Sequence, residues 1–440
     1  QHPRETFISL SSFLWLYLVL CALLLVLLCV SVSPAMLLYV LLGVVAAYLV
    51  ALFSWRQQPR NTPPQEAGLV PWLGVAASFA KNPLKFVWSE YQKLGEIFTL
   101  KIAGQRLTFL MGPEAHVPFF AGGDDVLDQN EPYKFAVPIF GPGVIYDSPV
   151  HIRIQQLKFL RKSLGVSQMR TYVGKIVEET EMFFGKWGNE TVVDVRDAFG
   201  ELIILTASRC LMGNEVREHM FKEVSQLYAQ LDEGLTPISV FFPYLPIPAH
   251  RRRDEAREQM VALFDKVIQQ RMANPEEQHD DVLQVFIDAR YKAPEGSPDN
   301  GRPLTATEVA GLMIALLFAG QHTSSVVSSW TGLLLHDPQN KDTFLPPLVA
   351  EQDAILAEHD GSLDYDSLKK MNRLHRCVKE ALRMHPPLIL LMRKAQVPIK
   401  FKNYVIPKGD TLFVSPALCH RLPHVYTNPD QYDPERFAPD

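Results

Sequence analysis

The residues best equipped for chemistry stand together as Ala319-Gly320-Gln321-His322-Thr323-Ser324-Ser325. Histidine changes charge near neutral pH, so His322 suits proton delivery, and the Thr323 hydroxyl beside it can donate or accept a hydrogen bond. The flanks are apolar: Val309 to Phe318 before the patch, and Val326, Val327, Trp330 and Leu333 to Leu335 after it. A helix that is apolar nearly all round is buried. Burying an imidazole and three hydroxyls costs free energy unless they have partners or a task. Gly320 weakens a helix by about 1 kcal/mol relative to alanine and opens space beside the backbone, next to Ala319. Taken singly, each residue fits a satisfied core position. The whole heptapeptide points to a site, a polar notch where returned hydroxyls bend or locally unwind the helix.

The elements that must hold this patch are legible around it. Thr305 followed by Glu308 is a capping box, and the helix it starts runs from Ala306 to about His336, a length of about 45 Å. Glu380 and Arg383 lie three apart on one helix face and can pair there. Arg436 stands further on, in Pro434-Glu435-Arg436-Phe437. Pro386 and Pro387 end the Glu380 helix, and an apolar strand is expected over Leu388–Met392, with Arg393 next. The stretch Tyr133–Asp147 is aromatic, with Tyr133, Phe135, Phe140 and Tyr146 spaced by backbone-fixing prolines and glycines. An ordinary loop with buried aromatics has the same composition. Glu96–Ile102 and Leu107–Met111 flank a hairpin turn, and short strands are expected at Pro398–Phe401, Asn403–Ile406 and Thr411–Ser415. The rest is largely helical, so the fold class is mainly α with small β-sheets.

Between Thr6 and Trp55 no residue is charged. One bilayer crossing needs about 20 residues, and Ser33-Pro34 divides the run into Phe7–Val32 and Ala35–Phe53, giving one or two spans. In a two-span hairpin Arg4, Arg56 and Arg60 would all face the cytosol. Residues 1–55 form the expected membrane anchor, 56–66 a proline-rich hinge and 67–440 the catalytic domain. The net charge of −5 gives no reason to expect nucleic acid. Five scattered cysteines show neither ligand spacing nor a disulfide framework.

Three motifs in order carry a resemblance. Ala319-Gly320-Gln321-His322-Thr323-Ser324-Ser325 resembles the oxygen-binding helix of cytochrome P-450 monooxygenases, in the form found in the sterol 14α-demethylase family. Glu380-Ala381-Leu382-Arg383 and Pro434-Glu435-Arg436-Phe437 are similar to that superfamily's later motifs. The resemblance implies the cytochrome P-450 fold, haem b, electrons from NADPH through NADPH-cytochrome P-450 reductase, and a place in the endoplasmic reticulum membrane with the catalytic domain facing the cytosol. It implies three oxidations of a sterol that release its 14α-methyl group as formate.

By the same resemblance His322 and Thr323 deliver protons, while Tyr133, Tyr146, Arg393 and Gly320 contact haem. Phe135, Phe140, Ala319, Leu388 and Met392 face the sterol, and Glu380, Arg383 and Arg436 hold the core. Phe135 matches the plant-like branch and implies a 4α-monomethyl sterol such as obtusifoliol rather than lanosterol. Tyr146 stands where that branch usually has phenylalanine. For a family basic residue on the next helix, Arg153 and Lys158 are both near. The family's axial cysteine follows the Pro-Glu-Arg-Phe motif, and this chain has none after it; Cys419 is not in that loop. The chain is therefore expected to be a fragment cut short at both ends, inactive alone and without a metal ligand of its own. Alternatives are a membrane-bound monooxygenase of fatty acids or foreign compounds, and a haem-less sterol-binding membrane protein.

Overall fold

Ala103 and Gly104 adopt positive φ values of 49° and 78°, the conformation a tight two-residue hairpin demands and glycine supplies freely. Around that turn Ile97–Ile102 (β2) and Gln105–Leu110 (β3) pair antiparallel. The computed structural model describes residues 34–190 and 192–439; the first apolar run, Phe7–Val32, lies outside them. The described chain divides into two compact units.

The first unit holds the residues up to Asp128 together with Leu390–Cys419. Gln65–Glu66 (β1), β2, β3, Leu127–Asp128 (β4), Leu391–Ala395 (β5) and Thr411–Val414 (β8) make one sheet in the order β1-β2-β3-β8-β5-β4. Ile399–Phe401 (β6) and Tyr404–Ile406 (β7) pair separately. Leu110, Leu127, Leu412 and Val414 are fully buried in the core, each worth about 1.5–3 kcal/mol of apolar burial. Asp410 accepts from Arg106 Nε and Thr108 Oγ1, both at 2.8 Å, tying the turn before β8 to β3. Helix α1 (Pro34–Arg56) belongs to this unit. It exposes Leu38, Leu42, Leu49 and Phe53. Its C-terminal half is stapled down: Tyr48 Oη donates to Leu69 O and Trp55 Nε1 to Ala67 O, both at 2.7 Å.

The second unit spans Gln129–Ile389 and His420–Asp440. Its helices are α2 (Val150–Ser163), α3 (Val166–Phe184), α4 (Val195–Ala207), α5 (Phe221–Glu233), α6 (Pro248–Ala273), α7 (Val282–Ile287), α8 (Ala306–His336), α9 (Lys341–Glu358), α10 (Tyr365–Lys370) and α11 (Asn372–Met384). Helix α8 packs on α4, α6 and α11. Val309, Leu312, Met313 and Leu317 of α8 meet Met260, Phe264 and Val267 of α6 and Leu227 and Leu231 of α5 in the main core. Both halves of the capping box form: Glu308 N donates to Thr305 Oγ1 (3.2 Å) and Thr305 N to Glu308 Oε2 (2.8 Å).

Three expectations need correction. Helix α8 is neither unwound nor interrupted at its polar patch. Thr323 Oγ1 donates to Ala319 O at 2.6 Å, and a carbonyl oxygen has a second lone pair for its helical N–H, so the hydroxyl is satisfied without displacing the backbone ladder. The helix is also not buried throughout, since Ala319, Ser324 and Leu333 are exposed. The strand expected over Leu388–Met392 starts only at Leu391, where β8 supplies a partner in Val414. Leu388 precedes it unpaired and 56% exposed.

Candidate functional site

In the second unit the polar patch of α8 meets an aromatic wall. Gly311 brings the two together: a Cβ there would lie 2.2 Å from Phe140 O and 2.6 Å from Val144 Cγ2. The segment Tyr133–Asp147 is thus laid against α8 backbone to backbone. It is built from a 3₁₀ turn at Lys134–Ala136, one α-turn at Val137–Phe140 and a second 3₁₀ turn at Ile145–Asp147.

The rings then run on without a break. Phe135 lies 5.9 Å from Tyr133, which stacks on Tyr146 at 5.1 Å. Tyr146 stacks on Phe140 at 6.1 Å, and Phe140 meets Phe318 of α8 edge-on at 6.1 Å. Phe318 contacts Tyr228 of α5 at 5.0 Å and His322, one turn on, at 6.5 Å. Ring pairs at these separations add stability beyond their buried area.

His322 Nε2 sits 2.9 Å from Asp232 Oδ1 near the end of α5. Thr323 instead bonds back to its own helix, so the two adjacent residues take separate partners. Gln321 Oε1 accepts from Tyr228 Oη at 3.4 Å. Ser325 Oγ donates to Arg196 O at 3.4 Å. Beside Gly320 a Cβ would meet nothing within 4 Å, and its neighbour Ala319 is exposed. The helix there presents a flat, open side.

Burial pushes the Tyr146 hydroxyl up to about 12; Tyr133 adds to the rise and Arg153 opposes it. Tyr146 therefore stays a hydrogen-bond donor at any physiological pH. Arg153, on α2, is 2% exposed and donates to Asn130 Oδ1. Lys158, on the same helix, is exposed.

Glu380, Arg383 and Arg436 converge in this unit. Glu380 is fully buried and receives both Arg383 Nε (2.7 Å) and Arg383 Nη2 (2.8 Å). Arg436 Nε (3.3 Å) and Asp433 N (2.9 Å) also donate to Glu380 Oε1. Arg383 reaches on to His420 O and Pro429 O. Bidentate, charge-assisted pairs of this kind are the strong ones, and this one pins α11 to the loop 420–437.

Within the first unit, Arg393 of β5 donates from Nη1 to Gly122 O at 2.9 Å and lies over the Phe119 ring. Met392 precedes it in the strand, half-buried and opposite Phe413. Cys419 Sγ faces His116 Nε2 at 3.2 Å. Burial raises all three thiols among the described residues, that of Cys210 to about 12.

Sequence reasoning missed Asp232, Tyr228 and Phe318. Phe318 had a signal, standing four residues before His322 on one helical face. Asp232 had none, because it comes from a different helix.

These residues have the chemistry to suit a flat, largely apolar group with an anionic edge. Gly320 and Ala319 leave room on α8, the aromatic wall offers ring faces, and Tyr146 and Arg153 supply a neutral donor and a buried cation.

Residues 63–440 match the family described as Cytochrome P450. The chain is 44% identical over 401 residues to a sterol 14-demethylase of Arabidopsis thaliana, covering 90% of this chain and 80% of that protein. It is 44% identical over 400 residues to an obtusifoliol 14-alpha demethylase of Sorghum bicolor, covering 89% and 79%. Among solved structures it is similar in fold to a retinoic acid bound cyanobacterial CYP120A1, with a TM-score of 0.74 and 24% identity, covering 87% of this chain and 83% of that one.

Proposed function

This chain belongs to the cytochrome P450 family and is a haem-thiolate monooxygenase of the sterol 14α-demethylase kind; we propose that its substrate is a 4α-monomethyl sterol and that the aromatic wall and the His322–Asp232 pair serve that reaction. The observation that carries the reading is likeness to plant sterol demethylases along nine-tenths of the chain. Bound haem supplies the oxygen activation for each of the three oxidations that release the 14α-methyl group as formate. Electrons come from NADPH through a redox partner.

The chain's own residues bind, orient and move protons. Tyr133, Tyr146 and Arg153 would hold the anionic edge of haem. Gly320 leaves the side of α8 flat enough for the macrocycle. His322 takes up a proton and releases it, and Asp232 stabilises the charged imidazole while it waits. The Thr323 hydroxyl, held on Ala319 O, passes a proton onward as it rotates. Phe135, Phe140, Ala319 and Leu388 shape the sterol cavity and exclude water. The Phe135 ring narrows the space beside carbon 4, which favours one methyl group there over two.

Residues 67–440 form the catalytic domain and 1–55 its anchor. Helix α1 is about 34 Å long at 1.5 Å per residue, enough for a hydrocarbon core of about 30 Å, and its exposed leucines support an anchor in the endoplasmic reticulum membrane. Helix α8 is also apolar and long enough to cross a membrane, but half of its apolar window is buried, as befits a core helix. In that membrane NADPH-cytochrome P-450 reductase is the partner we assign.

Titrating the haem-loaded protein, in a form that includes the family's axial cysteine, with obtusifoliol, lanosterol and lauric acid tests the substrate. The reading expects spectral binding in that order of affinity. Tightest binding of lauric acid would overturn it, and equal binding of the two sterols would remove the role of Phe135.

A further inference from the structure

The segment that carries Tyr146 is held in a shape its own residues resist. Ile145 has φ of +44°, the left-handed region where a β-branched residue is a marked outlier. Strain of this kind persists only where the surroundings over-determine it, and it clusters at functional sites.

One side chain makes the central contacts. Gln156 of α2 is fully buried. Its Oε1 accepts from Ile145 N at 2.8 Å. Its Nε2 donates to Gly143 O at 2.8 Å and to Tyr291 Oη at 3.0 Å. A carboxamide has two hydrogens to donate, and both are committed, so the oxygen can face only Ile145. Tyr291 in turn donates to Glu308 Oε1 at 2.9 Å, at the start of α8. Glu308 is fixed by Arg302 Nη1 (2.8 Å) and Thr305 N (2.8 Å). Ser148 Oγ donates to Ile145 O at 2.9 Å and closes the other side of the peptide. A line of hydrogen bonds thus runs from the capping box of α8 to the residue before Tyr146.

We propose that Gln156 is a positioning residue for the aromatic wall: its carboxamide holds Ile145 left-handed and thereby sets Tyr146 against Tyr133 and Phe140. The consequence for sterol binding rests on the function proposed above; the backbone clamp does not. Gln156 touches neither haem nor sterol in this account. It acts on them through the backbone of Gly143 and Ile145.

The test is Gln156→Leu, which keeps bulk and removes the carboxamide, alone and combined with Ile145→Gly. Glycine adopts positive φ freely, so it removes the strain that the clamp must hold. In Gln156→Leu, amide hydrogen exchange over residues 141–149 should rise about tenfold or more while the rest of α8 keeps its protection. The sterol KM should rise by about tenfold with kcat changed less. Adding Ile145→Gly should bring the sterol KM, and exchange over residues 146–149, back to within about threefold of the unaltered protein; the amide at 145 itself has lost its acceptor. A glutamine that only fills a polar cavity would not be rescued by a glycine eleven residues away, so failure of that rescue overturns the proposal. So does unchanged exchange in Gln156→Leu. Should that variant fail to fold, Tyr291→Phe removes one of the bonds that hold the carboxamide. Exchange at Ile145 must then rise, and Ile145→Gly must suppress the rise. Exchange that responds as stated, with no sterol turned over by any variant, keeps the clamp and removes the sterol reading.

Discussion

His322 Nε2 and Asp232 Oδ1 lie 2.9 Å apart across 90 residues of chain, joining the polar patch of α8 to the end of α5. The side chains are 45% and 39% exposed, so the pair adds under about 1 kcal/mol to stability. Its proposed role is to place a proton carrier. Replacing His322 with alanine, or Asp232 with asparagine, should lower sterol turnover by about a hundredfold and leave sterol affinity within about twofold. The double replacement should cost no more than the worse single one, because the residues act as a unit. Steady-state kinetics and equilibrium binding on the same preparations decide it.

Glu380 is a different kind of residue. It is fully buried and receives two arginines and a backbone N–H. Glu380→Gln leaves the Arg383 guanidinium, 2% exposed, without its counter-charge. Breaking one partner of a buried pair costs about 3–5 kcal/mol, a large share of the about 5–15 kcal/mol typical of a whole protein. Urea denaturation should show that loss, and purified yield should fall with it.

Gly311 tests how closely the pocket segment must lie on α8. Alanine there would put Cβ 2.2 Å from Phe140 O, a backbone atom that no rotamer change can move. Gly311→Ala should cost about 1–3 kcal/mol of stability. It should also weaken sterol binding by displacing Phe140 and Tyr146. Denaturant midpoints and a binding titration measure the two effects separately.

His385 makes stability depend on pH. Burial, then Arg421 and Arg383, pull its pKa down from 6.5 to about 4, and its ring stacks on Trp330 at 3.6 Å. Between pH 4 and 6.5 the unfolded chain binds the proton that the folded chain refuses, so stability rises with pH across that window. The contribution is fully present above pH 6.5 and is lost as pH falls towards 4. His385→Phe should flatten this part of the profile, seen as a smaller change in denaturation midpoint between pH 7 and pH 5.

Much of this was written locally in the chain. The capping box, the ends of α8 and the Ala103-Gly104 turn depend on near neighbours, so residue type and spacing revealed them. The Glu380–Arg383 pair was legible because three residues bring two side chains onto one face. Asp232 was not, since only packing of α5 against α8 brings it to His322. The continuous backbone of α8 through its polar patch was misjudged for a simpler reason. Thr323 can share the Ala319 carbonyl with the helix rather than compete for it, and composition cannot distinguish the two. Gln156 gave no sign at all, because its importance lies in the conformation of a residue eleven positions away.

The central claim is met most directly by following the leaving carbon. A 4α-monomethyl sterol labelled at its 14α-methyl group, supplied with reductase and NADPH to the haem-loaded protein in a form that includes the family's axial cysteine, should yield labelled formate, one molecule for each sterol that gains a 14,15 double bond. Oxidation that leaves the label on the sterol, or no oxidation under conditions where haem is bound and reducible, would contradict the account.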